Sequence, residues 1–346
     1  MKRILLTIIA LGCLVVAKAQ NDMAVATLQH GDAVSVFKGP SALASALAAA
    51  NEAGGDVITL SQGTFTAATI TKPVSIYGAG FETDNSKGTL LTTISGNLTV
   101  GRDDNTTVAN VHLEGFYLNG QLNVGGGSSK GPLENLRVVK AFIKSTYVQS
   151  TNDNTSFDQC VIYGSCESTG VTDVVSDLYF SKCVFRRASF WYYKNASSSI
   201  VLDHCIVNAY HNTGATGGTF NKSHDQILEL RNSIYIKADG SGTAYVWPSG
   251  SSIQGCISDR EEISGFENCY QVAINNIFKD GENGTYSPTR TYELQQPTVW
   301  VNAEGKQIGI HGGSGWSKVP STPVVKNLNV TPSGTNLNVT YEAEVR

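Results

Sequence analysis

The sequence predicts an all-β solenoid, a stack of short coils around one shared interior, with a helix at its N-terminal end and a β-hairpin at its C-terminal end. Three observations predict it. A nine-residue pattern recurs through the middle of the chain, an alanine-rich segment precedes the first copy, and the last residues alternate between apolar and polar.

The N-terminus carries Lys2 and Arg3, an apolar run from Ile4 to Ala17, and Ala17-Lys18-Ala19, with small residues where a signal peptidase needs them. Residues 1–19 therefore read as a signal peptide, and the expected location is periplasm, cell surface or the extracellular space. The apolar run falls short of the ~20 residues a spanning helix needs, and no later segment comes closer, so the mature chain is expected to hold no transmembrane segment. Loss of three positive charges moves the formal charge from −4 to −7. With no large Lys/Arg cluster, that charge argues against a nucleic-acid partner. Thirty-five glycines, two methionines and 16% charged residues fit a turn-rich β protein.

The segment from Gly39 to Gly55 is the one strong helix signal. Alanine dominates it, Ser41 stands at the N-cap position, Gly54 at the position after the C-cap, and Leu43, Ala46, Leu47 and Ala50 form one apolar stripe. Asp56-Val57-Ile58-Thr59-Leu60-Ser61-Gln62-Gly63-Thr64-Phe65-Thr66 follows, then Ile70-Thr71-Lys72-Pro73-Val74-Ser75-Ile76-Tyr77-Gly78-Ala79-Gly80. This order of helix and two strand signals resembles the opening coil of secreted, pectate-lyase-like proteins of Gram-negative bacteria. The resemblance implies a right-handed parallel β-helix whose helix plugs the open end of the stack. On that reading residues 20–56 form the N-terminal segment with the capping helix, 57–312 the β-helix, and 313–346 a C-terminal hairpin packed on the last coils.

The repeat itself is read from residues. Asn135 to Ile143 aligns with Asn154 to Ile162, Asp177 to Phe185, Ser199 to Val207 and Ile227 to Tyr235. The fourth column is Val138, Phe157, Phe180, Leu202 and Leu230; the seventh is Phe116, Ala141, Cys160, Cys183, Cys205, Ser233 and Cys256, at intervals of 25, 19, 23, 22, 28 and 23 residues. Both columns are expected inside, and unequal intervals mean loops of unequal length. After Cys256 the pattern shortens: Phe266 and Cys269 imitate columns four and seven only 13 residues on, so the coils are expected to become irregular. From Val324 to Val330, and from Leu337 to Val345 beyond a Pro332-Ser333-Gly334 turn, the chain reads as the hairpin.

Six cysteines remain after residue 19. Parallel side chains on adjacent rungs, ~4.8 Å apart, do not offer the χ3 near 90° of a disulfide, so Cys160, Cys183, Cys205 and Cys256 are expected as a ladder of buried thiols. Cys166 and Cys269 are expected in loops, and no cysteine spacing resembles a zinc site.

Two clusters are candidates for function. Ile200-Val201-Leu202-Asp203-His204-Cys205 and His224-Asp225-Gln226-Ile227 resemble two strand ends of pectate lyases, and the resemblance implies Asp203 and Asp225 as Ca2+ ligands beside His204, in a lyase or hydrolase acting on acidic, uronate glycans. A lyase needs a cation against the uronate carboxylate and a base for the α proton. Here Gln226 replaces the glycine of the second element, and the Arg-x-Pro-x-x-Arg segment that supplies the base has no counterpart. The repeat also explains the pair without chemistry, because columns five and six are polar in Asp158-Gln159, Ser181-Lys182, Asp203-His204 and Arg231-Asn232. The second cluster is the segment Arg186 to Lys194, with Arg187, Trp191, Tyr192, Tyr193 and Lys194 as its candidate contacts, and Tyr210 and His211 one coil later. Four consecutive aromatics cannot all face inward from a strand, and exposed rings beside basic groups suit sugar faces. The preferred expectation is a non-catalytic, glycan-binding surface protein with no cofactor; the alternative is the calcium-dependent lyase.

Overall fold

The computed structural model describes residues 24–84, 86–126, 131–188, 190–209, 227–237, 251–281, 286–321, 324–333 and 336–344. Residues 1–19, expected as a signal peptide, lie outside them. The chain is predominantly β, built on two long and mostly parallel sheets of 11 and 14 strands. Successive strands alternate between them: Val108–Glu114, Leu133–Val139, Asn152–Asp158, Ser176–Ser181 and Ser199–Asp203 join the first, while Tyr117–Val124, Phe142–Val148, Val161–Ile162, Val184–Ala188 and Ile206–Ala209 join the second. Each strand pairs in parallel with its equivalents on the preceding and following copies of the repeat.

The fourth column is one continuous ladder in register: Ile58, Ile76, Leu113, Val138, Phe157, Phe180, Leu202, Leu230 and Ile253. None of these side chains is more than 5% exposed. Phe157 and Phe180 stack with centroids 4.7 Å apart, and Phe185 and Phe190 meet Phe180 edge-on. Burying each such ring contributes about 1.5–3 kcal/mol, which outweighs the order a single rotamer costs. The seventh column is buried throughout, and all six described cysteines are free thiols. Each ladder thiol reaches carbonyls of its own rung and the one before, as Cys183 does with Ser181 and Phe157, both 3.4 Å away. Burial pushes the Cys183 and Cys256 thiols well up.

Two cysteines depart from expectation. Cys166 lies on the strand Cys166–Ser168 and faces the core at 1% exposure. Cys269 extends the ladder by one rung: the backbone N–H of Cys256 donates to its sulfur at 3.3 Å, and Tyr270–Gln271 pairs in parallel with Ile257–Ser258. The shortened interval is a tight 3-10 turn, Glu261–Gly265, which buries Ile263 against the end of the core.

Column six has a geometric reason to stay polar. Lys140, Gln159, Lys182, His204, Asn232 and Asn268 all have φ between 47° and 55°, and Gly115 and Gly255 take the same left-handed conformation. This residue turns the chain from the first sheet to the second, so its side chain points away from the interior. Left-handed backbone costs a non-glycine residue of order 1 kcal/mol, and it recurs on every repeat from Gly115 to Asn268 because the corner demands it.

The helix runs over Ala42–Ala49 and touches the first two strands. Leu43, Ala46, Leu47 and Ala50 are buried as their spacing requires. Ser41 makes no side-chain cap, and the helix ends at Ala50 rather than near Gly54. The Lys72 ammonium holds its last carbonyls, at 3.1 Å from Ala48 and 2.6 Å from Ala50. At the other terminus Val324–Ser333 and Asn336–Glu344 form a separate antiparallel pair. Pro332 and Ser333, expected in the turn, belong to the first strand.

Residues 277–281 and 286–321 carry the largest departure. They do not continue the repeat but fold back along the outside of the second sheet as a strap. The first position of each strand in the second sheet, Val184, Ile206, Ile234 and Ile257, faces outward, yet none exceeds 1% exposure. Ile277, Phe278, Tyr292, Leu294, Trp300, Ile308 and Ile310 cover that ladder in a second apolar cluster. Beyond it the strap follows the left-handed corner toward the N-terminal coils. Asn302 Nδ2 donates to Asn232 at 3.0 Å, Gly312 lies on the His204 ring, the Ser317 N–H donates to Gln159 at 2.7 Å, and the Ser321 N–H donates to Glu114 at 2.5 Å. Lys318 pairs with Glu82, to which Tyr286 also donates, locking the strap to an early loop. Residues 313–321, grouped by sequence with a hairpin on the last coils, thus reach the early ones.

Candidate functional site

Asp203 ends the strand Ser199–Asp203, and the corner places His204 directly after it at φ 54°. Both carboxylate oxygens are used. One accepts from His204 Nδ1 at 2.8 Å and Asn232 Nδ2 at 3.0 Å; the other accepts from the Tyr179 hydroxyl at 2.9 Å and faces Arg231 Nε at 3.3 Å. Burial opposes ionisation of Asp203, but hydrogen bonds from His204, Asn232 and Tyr179 outweigh it and hold the carboxyl well below the usual carboxylate range. Arg231 also bonds Glu229 at 2.6 Å, so one guanidinium serves two carboxylates. The His204 ring is capped by Gly312, and its Nε2 is buried without a hydrogen-bond partner.

A carboxylate engaged by four donors on its own and neighbouring repeats is a structural link between them, and the strap packs on two of its partners, His204 and Asn232. Among the described residues no group of three His, Cys, Asp or Glu side chains is arranged to hold a metal. Asp225 lies outside the described residues, so its distance from Asp203 is not part of the geometry. Sequence reading found the polar pair but missed its cover, because the strap comes from a segment with no repeat signal.

The aromatic segment breaks strict alternation, with Trp191 and Tyr192 both outward between buried Phe190 and Tyr193. Phe190 is fully buried and Tyr193 is 1% exposed, which removes Tyr193 from any contact surface. Trp191 is half-buried, Lys194 is exposed, and Tyr192 is 44% exposed with φ 68°. The Trp191 and Tyr192 rings meet edge to face with centroids 6.2 Å apart. The Arg187 side chain, Tyr210 and His211 lie outside the described residues.

The register adds residues that the sequence search did not single out. Trp191 stands in an outward column with Glu167 and Tyr147 on the two preceding rungs. Lys144, Tyr163 and Arg186 each follow an inward residue of aligned strands, Ile143, Ile162 and Phe185. Tyr163 is 38% exposed, and the Arg186 guanidinium lies 4.0 Å from its ring centroid. Extending the repeat alignment one position past column nine would have found Tyr163 and aligned it with Arg186. No family model, curated protein or solved structure matches the chain.

Proposed function

We propose that this chain is a secreted or surface-held right-handed parallel β-helix, closed at its N-terminal end by the Ala42–Ala49 helix, that binds glycan without transforming it. The observation that carries the reading is the outward set Tyr163, Arg186, Trp191, Tyr192 and Lys194 on neighbouring rungs. The exposed Tyr163 and Tyr192 rings and the half-buried Trp191 offer stacking faces for pyranose rings, and the basic groups beside them suit hydroxyl or acidic substituents. The engagement of both Asp203 oxygens by protein donors favours binding over lyase chemistry at that end of the repeat.

The test is titration calorimetry of the purified protein against a panel of neutral and acidic polysaccharides, with Trp191→Ala and Tyr163→Ala beside the wild type. At least one glycan should bind, and each substitution should weaken it about tenfold, the loss of one stacked ring. Binding unchanged in both variants, with circular dichroism confirming their fold, would place the ligand elsewhere and overturn the reading.

A further inference from the structure

We infer that the strand Ala33–Lys38 is a docking edge for a second copy of this chain, the two N-terminal ends meeting head to head about a twofold axis. This strand is the outermost of the 11-stranded sheet and pairs with one described neighbour, Val25–His30, through six residues without a register shift. Its other edge therefore offers a straight row of backbone donors and acceptors. Such edges are ordinarily blunted by proline, a bulge or an inward charge, and this one carries none of them. It carries the most exposed large apolar side chains among the described residues, Val34 at 59% and Val36 at 57%.

The pattern along the strand identifies the occupant. Side chains alternate, so Val34, Val36 and Lys38 point to one face, while Asp32 stands in the turn that opens the strand. An antiparallel copy paired symmetrically about Ser35 sets Val34 opposite Val36 and brings the turn residue Asp32 to the Lys38 end of the other copy, twice over. Moving the register by two residues in either direction sets a charge against a valine. Asp32 and Lys38 have no ion-pair partner among the described residues, so their charges are available to the second copy. The helix beside the edge fits the same contact. Its outward residues are Ala44, Ser45, Ala48 and Ala49, with no charge between Ala42 and Ala49, so nothing bulky holds two ends apart. A six-residue strand pair with a small helix face is a modest interface, and its dimer should be concentration-dependent.

Sedimentation equilibrium of the purified protein over a concentration series is the test. The wild type should approach twice the monomer mass at high concentration, and Val34→Lys with Val36→Lys should remain monomeric throughout. Both positions are exposed, so the double variant should melt with the wild type. Asp32→Lys alone should weaken association about tenfold, since it sets like charges together at two symmetric sites, and adding Lys38→Asp should restore it. A wild type monomeric at every concentration overturns the inference. So does a dimer indifferent to the paired lysines, or a charge exchange that fails to rescue.

Discussion

Replacing Gly312 by alanine tests the contact between strap and corner most economically. A Cβ built at Gly312 collides with the His204 ring and with the Gln307 carbonyl, and neither obstacle is the free end of a flexible chain. His204 is fixed by its left-handed backbone and its hydrogen bond to Asp203, so the strap must move instead. Overpacking of this kind costs about 1–3 kcal/mol, and the rigidity of both obstacles puts Gly312→Ala near the upper end. Gly265→Ala is the control: nothing stands within 4 Å of its Cβ and its φ is not positive, so it should be neutral or slightly stabilising. Urea unfolding followed by fluorescence is the assay, since Trp300 and Trp316 lie in the strap cluster. Adding His204→Ala to Gly312→Ala removes the obstacle and should recover part of the loss, a coupling of at least about 0.5 kcal/mol. A Gly312→Ala protein as stable as wild type, or strict additivity with His204→Ala, would refute the packing of Gly312 on His204.

Three further outcomes follow from the same geometry. Phe180→Ala removes a ring stacked on Phe157 and touched by Phe185 and Phe190, and should cost about 3–5 kcal/mol by denaturant unfolding, whereas Phe180→Leu should cost far less. Asp203→Asn should cost about 2 kcal/mol at neutral pH. Because the folded carboxyl titrates below the unfolded value of about 3.9, that stability is present above this value and is lost as pH falls beneath it, so wild type and variant should converge in acid melts. Cys269 should be the first thiol alkylated by iodoacetamide, with a rate midpoint near its pKa of about 7, lowered by the Cys256 thiol and by backbone N–H groups against the effect of burial. Cys166, pushed up to about 12 by burial, should react only on unfolding, as mass mapping would show.

The parts of the fold that sequence made legible are those imposed by periodicity. Columns four and seven recur because each rung must fill the same interior with the same shape, and the stripe of the Ala42–Ala49 helix is read from 3.6-residue spacing. The strap was not legible, since residues 277–321 repeat nothing. Its trace was nonetheless present in Cys160-Val161-Ile162, Cys183-Val184-Phe185 and Cys205-Ile206-Val207, where three successive apolar residues cannot all face inward. A strand apolar on both faces is covered on both faces, and the strap is the second cover. The left-handed corner was hidden for a different reason. Lys140, Gln159, Lys182 and His204 are not residues that announce φ near +50°, and the stacking of coils, rather than local preference, holds them there. At the candidate site the same effect separated chemistry from architecture: Asp203-His204 resembled a catalytic strand end, while the partners that engage it come from other coils and from the strap.

The most direct test of that separation is turnover. Purified wild type and Asp203→Ala are incubated with a panel of uronate polysaccharides, with and without calcium, and unsaturated products are followed by ultraviolet absorbance. If Asp203 is a structural link between neighbouring repeats, neither protein releases product under either condition, and Asp203→Ala differs only in melting at lower temperature. Calcium-dependent product formation by the wild type, abolished in a folded Asp203→Ala, would contradict it.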